Sequence, residues 1–131
     1  MICKENKEIG EKYYFLQHKS GLGVYVVPKK MSTSYAIFGT KFGSIDNRFV
    51  LDGKEIILPD GIAHFLEHKM FEQEDGTDAF LRYAKTGANA NAYTTFERTC
   101  YLFSATSKFY ESLEILLDFV SHPYFTDATV Q

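Results

Sequence analysis

The chain has no tryptophan, only three prolines and two cysteines in 131 residues, and no basic cluster longer than Lys29-Lys30. Each shortage removes a class of protein. Cys3 and Cys100 form neither a C-x-x-C pair nor a metal-finger spacing, which argues against a disulfide framework and suits a reducing compartment. With a formal net charge of −3 and no basic stripe, a nucleic-acid partner is not expected. No apolar run approaches the roughly twenty residues that span a bilayer, so no membrane partner is expected either. Met1 to Lys12 is charged, lacks a seven-residue apolar stretch and contains Glu5, Glu8 and Glu11. That composition reads as neither secretory signal nor transit peptide, and the expected location is cytoplasmic.

What the chain does have is aromatic core material, twelve Phe and nine Tyr, in a length suited to one compact domain. Tyr13-Tyr14-Phe15-Leu16 and Gly23-Val24-Tyr25-Val26-Val27 predict an antiparallel hairpin turning at Ser20-Gly21, with Pro28 ending its second strand. A third strand is expected from Ser34 to Phe42. Because Tyr35-Ala36-Ile37-Phe38 is apolar on both faces, that strand is predicted inside a sheet rather than at its edge. Phe49-Val50-Leu51 and Ile56-Ile57-Leu58 flank Asp52-Gly53, which suits a type I′ hairpin turn.

Beyond Pro59-Asp60-Gly61, read as a turn and helix cap, Ile62, Phe65, Leu66 and Met70 form an apolar stripe at helical spacing. His64, Glu67, His68 and Phe71 fall on the adjoining face. A second helix is expected from Asp78 to Lys85, capped by Thr77 and stopped by Gly87, followed by a strand from Arg98 to Ala105. The small and polar stretch from Ala88 to Thr95 reads, on composition, more readily as a plain edge strand than as a peptide-binding one. Phe109, Leu113, Leu116, Leu117 and Val120 predict an amphipathic helix ending before His122-Pro123, and Thr126-Asp127 looks like the cap of another.

The most informative segment is His64-Phe65-Leu66-Glu67-His68. Residues four apart share a helix face, so His64 and His68 can reach one ion while Glu67 borders them. The order H-x-x-E-H is that of the inverted zincins. Zinc accepts neutral imidazole nitrogen readily, and a catalytic zinc keeps a position for water whose pKa it lowers to roughly 7. Glu67 is then placed to take the water's proton. At this chain's composition the pattern alone would arise by chance on the order of once in a hundred chains, so it needs support from elsewhere.

That support is a second motif. From the opening hairpin, through Gly61-Ile62-Ala63-His64-Phe65-Leu66-Glu67-His68 and Phe71, to Asn91-Ala92-Tyr93-Thr94 with Glu97 and on to His122-Pro123, the chain resembles the amino-terminal portion of the pitrilysin and insulinase family of zinc metallopeptidases, which includes the mitochondrial processing peptidases. The hairpin between Phe49 and Leu58 looks like an insertion seen in bacterial, cytoplasmic-type members. The resemblance implies an α+β fold, a mainly antiparallel sheet packed by helices, and a full-length protein of two related halves closing on an extended peptide. It implies Zn2+ as cofactor, His64 and His68 as ligands, Glu67 as general base, and Asn91, Ala92 and Tyr93 as the strand that holds substrate backbone. Glu97 is left open, either supporting a ligating imidazole or pairing with Arg98 on the surface.

Relatives supply a third ligand, a Glu on a later helix, and no carboxylate here matches it: Glu111, Glu114 and Asp118 lie on the wrong helix and Asp127 comes too early. The expectation is therefore that residues 1–131 are the N-terminal part of a single metallopeptidase domain, that this piece is inactive by itself, and that it self-associates or pairs with a second half or subunit. The same residues admit two other readings. A non-catalytic peptide-binding subunit would fit the strand motif, but such subunits degrade the metal motif, which is intact here. S-ribosylhomocysteine lyases share H-x-x-E-H but need a later cysteine ligand, and nothing after Cys100 is cysteine.

Overall fold

A computed structural model describes residues 1–130, which fall into two compact units, Met1–Ser32 and the remainder from Thr33. The first is a three-stranded antiparallel sheet of β1 (Ile2–Asn6), β2 (Glu11–Gln17) and β3 (Gly23–Val26), in that order. The predicted hairpin is its β2–β3 half, with Phe15 opposite Tyr25 and Gln17 opposite Gly23. Gly21 takes φ 91°, a left-handed conformation that glycine adopts without strain, and its N–H donates to the His18 carbonyl at 3.0 Å. Strand β1 was not foreseen. Its five residues are all exposed, so no apolar alternation announces it, and backbone pairing from Ile2 with Phe15 to Asn6 with Glu11 is what forms it.

The second unit contains β4 (Ser34–Thr40), β5 (Arg48–Leu51), β6 (Lys54–Ile57), α1 (Ile62–Lys69), α2 (Ala79–Thr86), β7 (Asn89–Thr94), β8 (Thr99–Ala105), α3 (Phe109–Ser121) and α4 (Asp127–Val130). Its main sheet is antiparallel in the order β4-β8-β7, with β5-β6 a separate hairpin. The fold is α+β, antiparallel sheets packed by helices. In β5-β6, Asp52 and Gly53 take φ 50° and 75°, the two positive angles that the expected turn requires.

Strand β4 corrects an expectation, since it lies at an edge of the described sheet and β8 is the centre. Only one face of β4 is covered: Ala36 and Phe38 pack on the core, whereas Tyr35 and Ile37 are exposed. A run apolar on both faces therefore does not require burial on both. The core lies between the sheet and the helices, where Tyr101, Phe103 and Ala105 of β8 meet Phe71, Tyr83 and Phe119. Phe71 stacks on Phe119 with centroids 5.1 Å apart, and Tyr101 meets Phe119 edge-on at 5.6 Å.

Helix α3 directs most of its predicted stripe at the core: Leu116 is buried, and Phe109, Leu113 and Val120 pack against it. It buries Ser112, Ile115, Leu116 and Phe119, while Leu117 is 41 % exposed. Ser112 is tolerated inside because its hydroxyl donates to the Lys108 carbonyl at 3.0 Å and meets Thr86 Oγ1 at 2.9 Å. Helix α2 is capped by Asp78 rather than Thr77: the Asp78 carboxylate accepts the Phe80 N–H at 2.7 Å, whereas Thr77 is held by Asp75. Gly87 ends it at φ 73°, donating to the Tyr83 carbonyl, as expected. Among the described residues no helix is long and apolar enough to cross a membrane.

Candidate active site

Helix α1 starts at Gly61, which takes φ 83° and offers no side-chain cap. Asp60 does not cap the helix; its Oδ1 instead accepts from Asn47 Nδ2 at 2.7 Å. The helix also turns a different face inward from the one its apolar stripe predicts. Ala63 and Glu67 are the buried residues of α1, Phe71 follows them into the core, and Phe65 is 39 % exposed. The small Ala63 side chain lets the helix lie close to its neighbours, and the i, i+4 spacing then brings Glu67 inward with it.

His64 and His68 lie on the exposed side of the same turn, and their Nε2 atoms are 3.0 Å apart. One ring donates and the other accepts through its lone pair, the same lone pair a metal would use. Two nitrogens each about 2.0–2.1 Å from a tetrahedral zinc stand roughly 3.4 Å apart, so the observed pair is within a few tenths of an ångström of a chelating arrangement. The donor chemistry and the convergence fit zinc as two of its ligands. Among the described residues, no group of three His, Cys, Asp or Glu side chains comes together that could hold the ion alone. Cys100 is buried on β8 and, among the described residues, joins no such group.

Glu67 is 7 % exposed, and Thr94 Oγ1 of β7 donates to its Oε2 at 2.6 Å. Thr94 lies 3.4 Å from Thr99 Oγ1, which in turn donates to the Phe42 carbonyl at 2.9 Å. Burial, with the Glu67 charge nearby, pushes the Tyr101 hydroxyl up to about 12.

This network hangs on the β7–β8 turn, which the 43–46 loop clamps. Ser44 and Ile45 N–H groups donate to the Thr95 and Phe96 carbonyls at 2.9 and 3.1 Å, and Asp46 Oδ2 accepts from the Gly43 N–H at 2.7 Å. The approach is so close that a Cβ on Gly43 would lie 2.4 Å from the Phe96 carbonyl oxygen. Thr94 belongs to the strand motif, but the motif by itself assigns it no task. The signal was available, because alternation puts Thr94 on the same inward face as Ala90 and Ala92, where a polar residue needs a partner.

Strand β7 is an edge of the described sheet, with β8 on one side. Ala92 faces the core, whereas Asn91 and Tyr93 are on the opposite, exposed face. The Ala92 N–H donates to Asn91 Oδ1 at 2.9 Å. A hydrogen bond with Cys100 raises the Tyr93 hydroxyl above its ordinary range. Glu97 is exposed and lies 3.8 Å from Arg98 Nη2.

Known proteins share this arrangement of chain. Residues 58–131 match the sequence family described as insulinase, peptidase family M16. The protein called "Uncharacterized zinc protease YmfH" of Bacillus subtilis (strain 168) is 55% identical over 130 residues, covering 97% of this chain and 30% of that protein. Among solved structures, an M16-like peptidase from Alicyclobacillus acidocaldarius superposes with a TM-score of 0.86 at 43% identity, over 92% of this chain and 28% of that one. A protease from Helicobacter pylori gives 0.74 at 25% identity, over 90% and 28%. This chain thus spans about 30% of the length of the curated relative and about 28% of each of these solved chains.

Proposed function

The chain belongs to the insulinase family, peptidase family M16, and from that premise we propose that the protein of which it forms part is a zinc-dependent endopeptidase acting on peptides or small proteins. The observation that carries this reading is the convergence of His64 Nε2 and His68 Nε2 at 3.0 Å beside the buried carboxylate of Glu67. His64 and His68 bind the ion through those nitrogens. The third ligand is a carboxylate outside the 131 residues, and this chain alone is inactive. A zinc ion held by these nitrogens would supply Lewis-acid polarisation of a carbonyl and would lower the pKa of water at the site to roughly 7.

Glu67 does the proton work. Its Oε2 is engaged by Thr94, and Oε1 takes the proton from the attacking water and returns it to the leaving amine. Strand β7 orients the substrate. An extended peptide adds to its open edge, with its backbone carbonyl taking the Ala92 N–H that Asn91 covers in this structure, while Asn91 and Tyr93 meet its side chains. The apolar outer face of β4, with Tyr35 57 % and Ile37 47 % exposed, is the kind of surface that a second half, a partner subunit or another copy covers. The two unpaired thiols, Cys3 and Cys100, suit a cytoplasmic location.

The test is cleavage of a fluorogenic peptide library by the complete protein, with and without a chelator and zinc restoration. Chelator-sensitive cleavage restored by zinc supports the reading. Cleavage indifferent to thorough metal removal contradicts it.

A further inference from the structure

A buried general base must be aimed, and Glu67 is aimed by one contact. Among the described residues the only hydrogen bond reaching its carboxylate is the one from Thr94 Oγ1 to Oε2, at 2.6 Å. The network fixes the direction of the proton. Thr99 Oγ1 donates to the Phe42 carbonyl at 2.9 Å, and a carbonyl can only accept, so Thr99 has no proton left to give Thr94. Thr94 therefore holds the single proton between Thr99 and Glu67, and the 2.6 Å contact takes it in preference to the 3.4 Å one.

We propose that Thr94 is a positioning residue for hydrolysis: its hydroxyl pins Glu67 Oε2 from the sheet side and leaves Oε1 as the oxygen free to move a proton. The inference rests on the peptidase reading above and adds to it a residue that does not touch metal. Three features make Thr94 suited to the task. It sits on β7, so the element that orients substrate also orients the base. It lies at the end of that strand, where the clamp from Ser44 and Ile45 onto Thr95 and Phe96 restrains the backbone. Its β-branched side chain is stiff about χ1, so the hydroxyl has few alternative directions. Substrate position and base position are thereby set by one rigid segment.

The experiment compares Thr94→Val, Thr94→Ala and Thr94→Ser in the complete, zinc-loaded protein, alone and combined with Glu67→Gln. Valine keeps the shape and removes the proton; serine keeps the proton. Thr94→Val is expected to lower kcat about 10- to 100-fold with KM within about threefold, and Thr94→Ser to stay within about threefold of the parent. Zinc content should be unchanged in all three. In the Glu67→Gln background Thr94→Val should cost nothing further, because there is no base left to aim. A crystal structure of Thr94→Val should show the Glu67 carboxylate in a new orientation. If the valine variant does not fold, the alanine and serine pair carries the same comparison. Parent-like kcat in both hydroxyl-free variants, with Glu67→Gln inactive, overturns the role of Thr94 and leaves the peptidase reading standing. Loss of zinc, or failure of serine to restore turnover, overturns it in favour of a structural role. Full activity in Glu67→Gln overturns the peptidase reading itself.

Discussion

His64 and His68 bring their Nε2 atoms within 3.0 Å of each other across one turn of α1, although their rings are exposed to solvent. Two imidazoles on an exposed helix face have no packing reason to converge. Their rings meet at 4.8 Å between centroids and 50° between planes, so they are tilted rather than stacked, and the nitrogens are what meet. Behind them Glu67 is anchored inward, and the resulting division between outward imidazoles and an inward carboxylate follows from one helix lying on a sheet whose inward strand positions include a threonine.

Glu67→Gln keeps the size of the side chain and a hydrogen-bonding group for Thr94 but cannot accept the water's proton. In the complete protein this substitution is expected to lower kcat by about 100-fold or more while zinc content is retained. Steady-state kinetics paired with elemental analysis checks it. Unchanged turnover would remove Glu67 from the base role.

Gly43→Ala should destabilise by roughly 2 kcal/mol or more, since its Cβ would press on backbone atoms of Phe96 and Arg98, which have little freedom to yield. Thermal melting of the parent and variant measures this. Activity at permissive temperature should also fall, because the same turn holds Thr94. A variant melting with the parent would mean that the clamp is looser than its geometry.

Arg82 Nη1 of α2 donates to Asp118 Oδ2 of α3 at 2.5 Å, and this bond holds the Asp118 carboxyl below the usual carboxylate range. A pKa depressed by folding gives stability that is present above about pH 4 and lost as pH falls through the folded value. Both groups are about a third to a half exposed, so screening limits the effect. Asp118→Asn is expected to cost about 1 kcal/mol or less at pH 7, and less as the pH falls below the ordinary carboxylate range. Denaturant unfolding at several pH values tests the sign: a difference that grows in acid would contradict it.

Ala92→Pro removes the N–H that Asn91 covers and that the peptide reading assigns to substrate. Proline is tolerated on an edge strand where its missing N–H faces away from the ladder. The expected outcome is a KM raised about fivefold, the loss of one hydrogen bond of about 1 kcal/mol, with the melting temperature little altered. A parent-like KM would mean that substrate does not pair along β7.

Much of this architecture was legible in sequence because short-range chemistry dictates it. Asp52-Gly53 requires positive φ at two successive residues, Gly87 stops α2, and alternation defines β8. What stayed hidden depends on contacts distant in sequence. Strand β1 has no apolar pattern of its own and exists through β2. The inward face of α1 carries Ala63 and Glu67 and that of α3 includes Ser112, while the larger Phe65 and Leu117 stay partly exposed. In the candidate site, a five-residue motif pointed to the histidines and Glu67. The partnership of Glu67 with Thr94, twenty-seven residues away, depends on the register of β7 beneath α1.

The most direct measurement of the central claim is zinc per chain in the complete protein, by elemental mass spectrometry after metal loading and desalting, for the parent, His68→Ala and Glu67→Gln. The account predicts close to one zinc in the parent and in Glu67→Gln, and little in His68→Ala. Zinc retained at parent level when His68 is gone would contradict it, because the ion would then be held somewhere other than on α1.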